Sequence, residues 1–550
     1  MDVVTTVLPL LLAVALSGMA AQFTPAPLPL LQIGLGVALA LIFGLRVRLD
    51  PALFFVLLVP PLLFADAWRI PKAEVFRLKG PILTMAIGLV VFTVLGIGWF
   101  AHWLVPSLPI AMAFALGAVL SPTDAVALKA LAHDTPIPPR LLHILSGEAL
   151  MNDATGLVCL RFALVAMITG AFSLAGAAFT FVELVAVGLL VGAAAAWLFG
   201  AVQSRMVRWG ADHSATQVLL GLLLPFAAYL AAEGLHGSGI LAAVAAGATR
   251  DRMGLRSAGK LATRMQVAAV WDMLEFTLNG LIFLLLGLQA PALLAEAPAL
   301  ARAFAGGHVL LLVGYLFAIA GALLVLRLAW VWASLEFTLY RSSLRGVTRS
   351  HPGFRVIAAS AVAGVRGAIT LAAVLSLPLA LPNGAPLPGR DLVVFFAMGV
   401  ILCSLLTTAV VFPLLLKGLA LPDEAAAVAE ERRARLALAE AALRQMEEVG
   451  HATAAGSTGP ERIADAEAGA LVMDDYRARL EAKAQTEEAR RKLRRSSAAD
   501  RTFRLAALRA ERDELSRLRE RAEIGDAGFR KLLHELDLAE AALAGAKGHQ

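Results

Sequence analysis

Apolar residues recur along this chain in runs matched to the length of a bilayer-crossing helix, which needs about 20 residues. Thirteen such runs lie near 4–21, 27–45, 51–68, 80–104, 110–131, 141–170, 173–202, 215–233, 237–249, 266–289, 307–338, 355–381 and 391–417. The ninth is the shortest. The first has no basic segment before it and no small-residue cleavage site after it, so it is read as a retained span. The pattern predicts an all-α polytopic membrane protein with about 13 transmembrane helices.

The pattern stops at Leu421-Pro422-Asp423. From there to residue 550 the chain carries 25 acidic and 23 basic residues, while the part before it has 25 basic against 17 acidic, a net charge of +8. Stretches such as ERRARLALAEAALRQMEEV predict amphipathic helices, and HATAAGSTGP predicts a linker between them. Two domains are therefore expected: a transmembrane domain at 1–420 and a cytoplasmic helical, coiled tail at 423–550. The tail is either a regulatory or dimerising element or a solvated helical extension. It contains no phosphate-binding loop, metal cluster or basic nucleic-acid patch, so no cofactor and no nucleic-acid partner is expected.

Composition agrees with the pattern: 59% of residues are hydrophobic, 16% are charged and the mean hydropathy is +0.74. The two cysteines, Cys159 and Cys403, both lie in apolar runs, which excludes a disulfide framework and a paired-cysteine metal site. Loop charge then sets orientation. Loops after odd-numbered runs hold seventeen Lys and Arg, from Arg69 to Arg355, whereas those after even-numbered runs hold four: Arg46, Arg48, Arg302 and Arg390. The basic loops stay inside, so the N-terminus is expected outside and the tail in the cytoplasm.

Ionisable residues inside such runs are costly and by default functional. Asp124 lies in GAVLSPTDAVAL, where Pro122 removes a helical hydrogen bond and Ser121 and Thr123 can bond freed backbone groups. The fifth span is therefore expected to be broken, with Asp124 compensating half-helix dipoles near a cation site; the alternative is a proline kink with a capping aspartate. In GEALMNDATG of the sixth span, Glu148 and Asn152 stand four residues apart on one face, and Asp153 points about 100° away. One carboxylate can thus be paired while the other titrates. In the twelfth span Arg366, flanked by Gly364 and Gly367, is the cation in a similarly irregular context, and a Glu148–Arg366 ion pair is expected.

Other polar residues carry weaker expectations. Glu183, Glu233, Asp272, Glu275, Asn279 and Arg161 can face an ion path, but helix-end and interhelical hydrogen-bonding roles weigh more, and Arg161 has no partner that the sequence identifies. Trp68 and Trp271 stand near span ends and are read as interface anchors.

The segments PPLLF, SPTDAVAL, GEALMNDATGLV, WDMLEFTLNGLIFLLLGLQ and GVRGAITLA resemble the sodium/proton exchangers of the cation:proton antiporter superfamily, NhaP/NHE type, and the bacterial branch in particular. The resemblance runs over residues 1–420, and its most specific element is the Asn-Asp pair in a GE-x-L-x-ND frame. It implies a homodimer in the cell (inner) membrane, with an inverted-repeat transporter core in which the fifth and twelfth helices are unwound and cross. It also implies roles for residues. Asp153 would alternately bind cation and proton, beside Asn152; Thr123 would give oxygen ligands to the monovalent cation, with Asp124 beside it; Glu148 and Arg366 would hold the core together. Two departures bear on cation choice: Ala149 stands where many relatives have Ser, and Ala65-Asp66 follows PPLLF where many have Glu.

The function expected is therefore secondary antiport of a monovalent cation, Na⁺ with K⁺ or Li⁺ as alternatives, against H⁺, electroneutral at one for one, serving pH and cation homeostasis. An intramembrane enzyme would need a nucleophile–base or metal constellation, and the spans hold no HExxH, GxGD or GxSG element. A channel would need a ring-forming filter sequence on a short pore loop, which is also missing from the sequence.

Overall fold

The computed structural model describes residues 2–24, 26–45, 51–70, 78–132, 137–169, 174–209, 213–254, 261–343, 353–381 and 384–417, with a few isolated positions beyond 417. The chain divides into two compact units, Met1–Ala420 and Leu421–Gln550. Apart from those isolated positions, the tail helices and linker read from the sequence lie outside the described residues, as do the loop cations Arg46, Arg48, Lys72, Arg77, Arg256, Lys260, Arg345 and Arg349.

Regular structure among the described residues is helical, with one isolated bridge between Ala380 and Pro386. The first helices are α1 (Asp2–Ala20), α2 (Leu28–Ile42), α3 (Pro51–Arg69) and α4 (Lys79–Leu104). A broken pair follows, α5 (Ile110–Leu120) and α6 (Ala125–Ala132), then α7 (Pro139–Thr169), α8 (Leu174–Arg208), α9 (Ser214–Gly234) and α10 (Gly239–Gly254). Next come α11 (Leu261–Phe304), α12 (Val309–Ser343), a second interrupted pair α13 (Phe354–Val362) and α14 (Ala368–Leu375), and α15 (Arg390–Leu416). Among the described residues seven helices are long and apolar enough to cross a membrane, eight if α5 and α6, bent by 52°, form one span. Helix α10, at the ninth apolar run, falls short of that length, and Ile240–Ala246 within it is buried.

Small residues let the helices approach closely, the usual device where lipid removes the hydrophobic drive for helix association. A Cβ on Gly287 of α11 would overlap the Ile33 carbonyl of α2, so these two backbones touch. Gly247 of α10 meets Phe64 O of α3 in the same way, 2.4 Å from the position of a Cβ. Helix α4 loosens into a π-helical stretch at Thr84–Leu89, and Trp330 Nε1 of α12 donates to Thr84 O at 3.2 Å.

Trp271 is not an interface anchor as its place near a span end suggested. It is 1% exposed, stacked on Phe64 with ring centroids 5.1 Å apart and edge-on to Trp68 at 6.2 Å. The large ring fills the space between α3 and α11, where burial of its area outweighs an interfacial position.

Candidate functional site

Both interruptions have local causes. In Ser121-Pro122-Thr123-Asp124 the proline lacks an N–H and cannot continue the ladder of α5. In Ala363–Gly367 two glycines weaken the helix and leave room for close contact. The breaks meet each other. Asp124 N donates to Val365 O at 2.8 Å, and a Cβ on Gly367 would overlap the Asp124 carboxylate.

Four helix ends are thereby brought together, and three of them are bonded by a charge of the sign that the helix dipole calls for. Asp124 Oδ1 accepts from Val126 N and Ala127 N, both at 2.9 Å, capping the N-terminus of α6. Arg366 donates from Nε to Leu120 O at 3.0 Å, at the C-terminus of α5, and from Nη1 to Gly364 O at 2.5 Å, past the C-terminus of α13. Thr408 Oγ1 of α15 donates to Val362 O at 2.8 Å. The break and the capping aspartate, posed as alternatives from the sequence, occur together.

Helix α7 lies against this crossing, because Gly156 admits Pro122, whose Cγ is 2.8 Å from where a Cβ would stand. One turn earlier stands the Glu148, Asn152 and Asp153 group, with exposures of 0%, 1% and 3%. Asn152 Nδ2 donates to Thr123 Oγ1 at 2.7 Å, and that hydroxyl donates onward to Glu148 Oε1 at 3.2 Å. The shared face of Glu148 and Asn152 thus grips the first break through Thr123, which keeps one lone pair on Oγ1 for another partner.

The expected Glu148–Arg366 pair is corrected by the structure. Glu148 is taken by Arg327 of α12, in a two-pronged contact with Nη1–Oε1 at 2.5 Å and Nη2–Oε2 at 2.8 Å, while Arg366 spends its donors on backbone carbonyls. Arg327 is 2% exposed and also donates from Nε to Ser360 O of α13 at 3.1 Å. A planar guanidinium against a carboxylate gives two parallel charged hydrogen bonds, whereas carbonyls freed by a broken helix need single donors in divergent directions. The sequence held a signal for Arg327: it is a lone cation in the middle of an apolar run.

Asp153, pointing away from Glu148, has no such partner. Its Oδ1 and the Oδ1 of Asn152 are buried acceptors without a hydrogen bond among the described residues. Buried oxygen acceptors left open are uncommon, and two within one helical step suit a cation or a proton. Asp153 feels the charges of Asp124, Asp66 and Glu148. Asp66, on α3 directly after PPLLFA, was noted in the sequence only as a departure, yet its charge reaches Asp153.

Other residues flagged in the sequence separate cleanly. Arg161 pairs with Glu233 at 3.0 Å, partly exposed, which supplies the partner that sequence left open. Glu183 is exposed. Asp272, Glu275 and Asn279 line a cavity of about 230 Å³ together with Arg69, Gln32 and the first turns of α6.

A buried, unpaired aspartate beside two crossing helix breaks agrees with what the comparisons return. The family model described as "Sodium/hydrogen exchanger, transmembrane" matches residues 9–417. This chain belongs to the sodium/hydrogen exchanger family. The exchanger is 43% identical over 550 residues, 99% of each chain, to "Uncharacterized Na(+)/H(+) exchanger YjcE" of Escherichia coli (strain K12). It is 40% identical over 425 residues to the "Sodium, potassium, lithium and rubidium/H(+) antiporter" of Bacillus subtilis (strain 168), covering 76% of this chain and 62% of that protein. The sodium proton antiporter MjNhaP1 of Methanocaldococcus jannaschii shares its fold, with a TM-score of 0.57 at 16% identity over 76% of this chain and 99% of that one. The protein is a bacterial cation/proton antiporter of the NhaP type, integral to a membrane.

Proposed function

We propose that this exchanger moves one monovalent cation against one proton at Asp153, in an electroneutral cycle serving pH and cation homeostasis. The observation that carries this reading is the open, buried Oδ1 of Asp153 beside the crossing of two helix breaks. Cation and proton compete for that one carboxylate, so occupancy by either tracks both concentrations. Asn152 Oδ1, on the adjacent residue, and the remaining lone pair of Thr123, which Asn152 bonds, supply neutral oxygens to a cation's shell, with Asp124 holding the half-helix ends. Glu148 and Arg327 anchor α7 to α12 while the core moves.

The wider arrangement we propose is a homodimer in the inner membrane, with thirteen helices per chain, an inverted-repeat core, the N-terminus outside and the tail inside. The charge of the loops supports the orientation. Na⁺ is the favoured cation. A second reading, with K⁺ also carried, is favoured by the Bacillus subtilis relative, a sodium, potassium, lithium and rubidium/H(+) antiporter by name. The deciding experiment is dye-monitored proton flux in everted vesicles with Na⁺, K⁺, Li⁺ and Rb⁺ in turn, for the native chain and Asp153→Asn. Cation-dependent flux that vanishes in the variant is expected, since an amide neither titrates nor neutralises a cation. Flux persisting in a folded Asp153→Asn protein would remove Asp153 from the site.

A further inference from the structure

The cavity of about 230 Å³ is lined by Arg69 of α3, by Asp272, Glu275 and Asn279 of α11, and by Val126 and Ala127 of α6, the two residues whose N–H groups cap onto Asp124. Spacings of three and seven put Asp272, Glu275 and Asn279 on one face of α11. Arg69 stands across from them. Its Nη2 is 2.6 Å from Asp272 Oδ1 and its Nη1 is 2.5 Å from Glu275 Oε2. Exposure grades along this row: 69% for the Asp272 side chain, 39% for Arg69 and 17% for Glu275, so Asp272 is at the mouth and Glu275 further in. Glu275 also feels the charges of Lys129 and Asp124, and Asp66 feels those of Glu275, Asp124, Lys129 and Arg69. The start of α2, the end of α3 and the start of the tenth apolar run all adjoin odd-numbered loops, on the side that loop charge assigns to the cytoplasm.

We propose that Arg69 is a charge-setting gate residue for cation entry from this side, a role that rests on exchange at Asp153. One guanidinium against two carboxylates leaves this trio with a single net negative charge, and Lys129 answers one of the acids, Asp66 and Asp124, further in. That is enough to draw cations inward, while Arg69 keeps Glu275 and Asp272 from holding them. Walls of low dielectric focus such a charge into the cavity, so its value sets the local cation concentration that the inner site meets. A single positive side chain thereby fixes the apparent affinity, and the chemistry at Asp153 is left as it is.

The test is the Na⁺ concentration giving half-maximal proton flux (K0.5) in everted vesicles, whose bath touches the cytoplasmic face, using the full chain. Arg69→Gln should lower K0.5 and Glu275→Gln should raise it, each by about three- to tenfold. That is the effect of one unit charge over several ångströms at a dielectric between water and partly buried protein. Arg69→Lys should stay near the native value, and the Arg69→Gln/Glu275→Gln double variant should return toward it. Added choline chloride should shrink every difference, because the mouth is exposed to screening. Asp272→Asn, at the most exposed position, tests the same sign without risk to folding and should raise K0.5. Shifts of Arg69→Gln and Glu275→Gln in the same direction, or an unmoved K0.5 in Asp272→Asn, would overturn the gate and leave exchange at Asp153 standing. Native vesicles lacking Asp153-dependent flux would overturn both.

Discussion

Glu148 and Arg327 meet through two parallel hydrogen bonds of 2.5 and 2.8 Å, each side chain 2% exposed or less, and so tie α7 to α12. Removing one partner leaves the other charged and buried, which costs roughly 3–5 kcal/mol. Glu148→Ala and Arg327→Ala should therefore each lower thermal stability in detergent, and the double variant should lose much less than the two combined. Glu148→Ala with Arg366→Ala should be closer to additive, since Arg366 bonds carbonyls. Full additivity for Glu148 and Arg327 would show that they do not act as a pair.

The crossing of the breaks depends on the absent side chain at Gly367. A Cβ there would overlap the Asp124 carboxylate and stand 2.7 Å from Asp124 Cβ, an atom fixed to the backbone that no side-chain rotation moves aside. Gly367→Ala should destabilise the protein by about 1–3 kcal/mol through overpacking and sharply lower the exchange rate. Gly34→Ala, where nothing lies within 4 Å, is the matched control and should be neutral or stabilising by about 0.4–1 kcal/mol. Equal behaviour of the two variants in unfolding and flux measurements would remove the steric argument.

Much of this arrangement was legible in residue order, for physical reasons that differ by element. The break at Ser121–Asp124 could be read because proline acts locally, on its own hydrogen bond. The facing of Glu148 and Asn152, and the divergence of Asp153, follow from helical spacing alone. What could not be read is which arginine reaches Glu148. Arg327 is 179 positions away and Arg366 is 218, so the choice rests on tertiary packing that no local pattern encodes. Trp271 failed for a related reason: nearness to a span end says nothing of the helix face that a ring occupies. Arg69, Asp272 and Glu275 were visible singly, and only the fold places one cation across from both acids.

If cation and proton share Asp153, protons must act as a competitive inhibitor of cation-dependent flux. Below the pH at which the site is half protonated, K0.5 for Na⁺ should rise about tenfold per pH unit while the maximal rate stays level, as one-site linkage requires. Flux measured over pH and Na⁺ together checks this. A maximal rate that falls with pH at constant K0.5 would place the controlling proton on another group.

Charge movement per cycle separates one titrating carboxylate from two. Asn152 is an amide, Glu148 is held by Arg327, and Asp124 accepts two backbone N–H groups at the start of α6, which keeps it occupied as a charged cap. Asp66 is the remaining acid whose charge reaches Asp153. With Asp153 alone titrating, one proton leaves for one cation and no net charge crosses the membrane. Each net charge would couple transport to voltage by about 2.3 kcal/mol per 100 mV. Na⁺-driven exchange in proteoliposomes that hold one fixed K⁺ gradient should therefore have the same rate and end point with and without valinomycin, which imposes the potential while every substrate gradient stays the same. A clear response to potential would defeat the one-for-one cycle. Repeating the measurement with Asp66→Asn would then assign the second proton: the response disappears if Asp66 carries it and remains if Asp124 does.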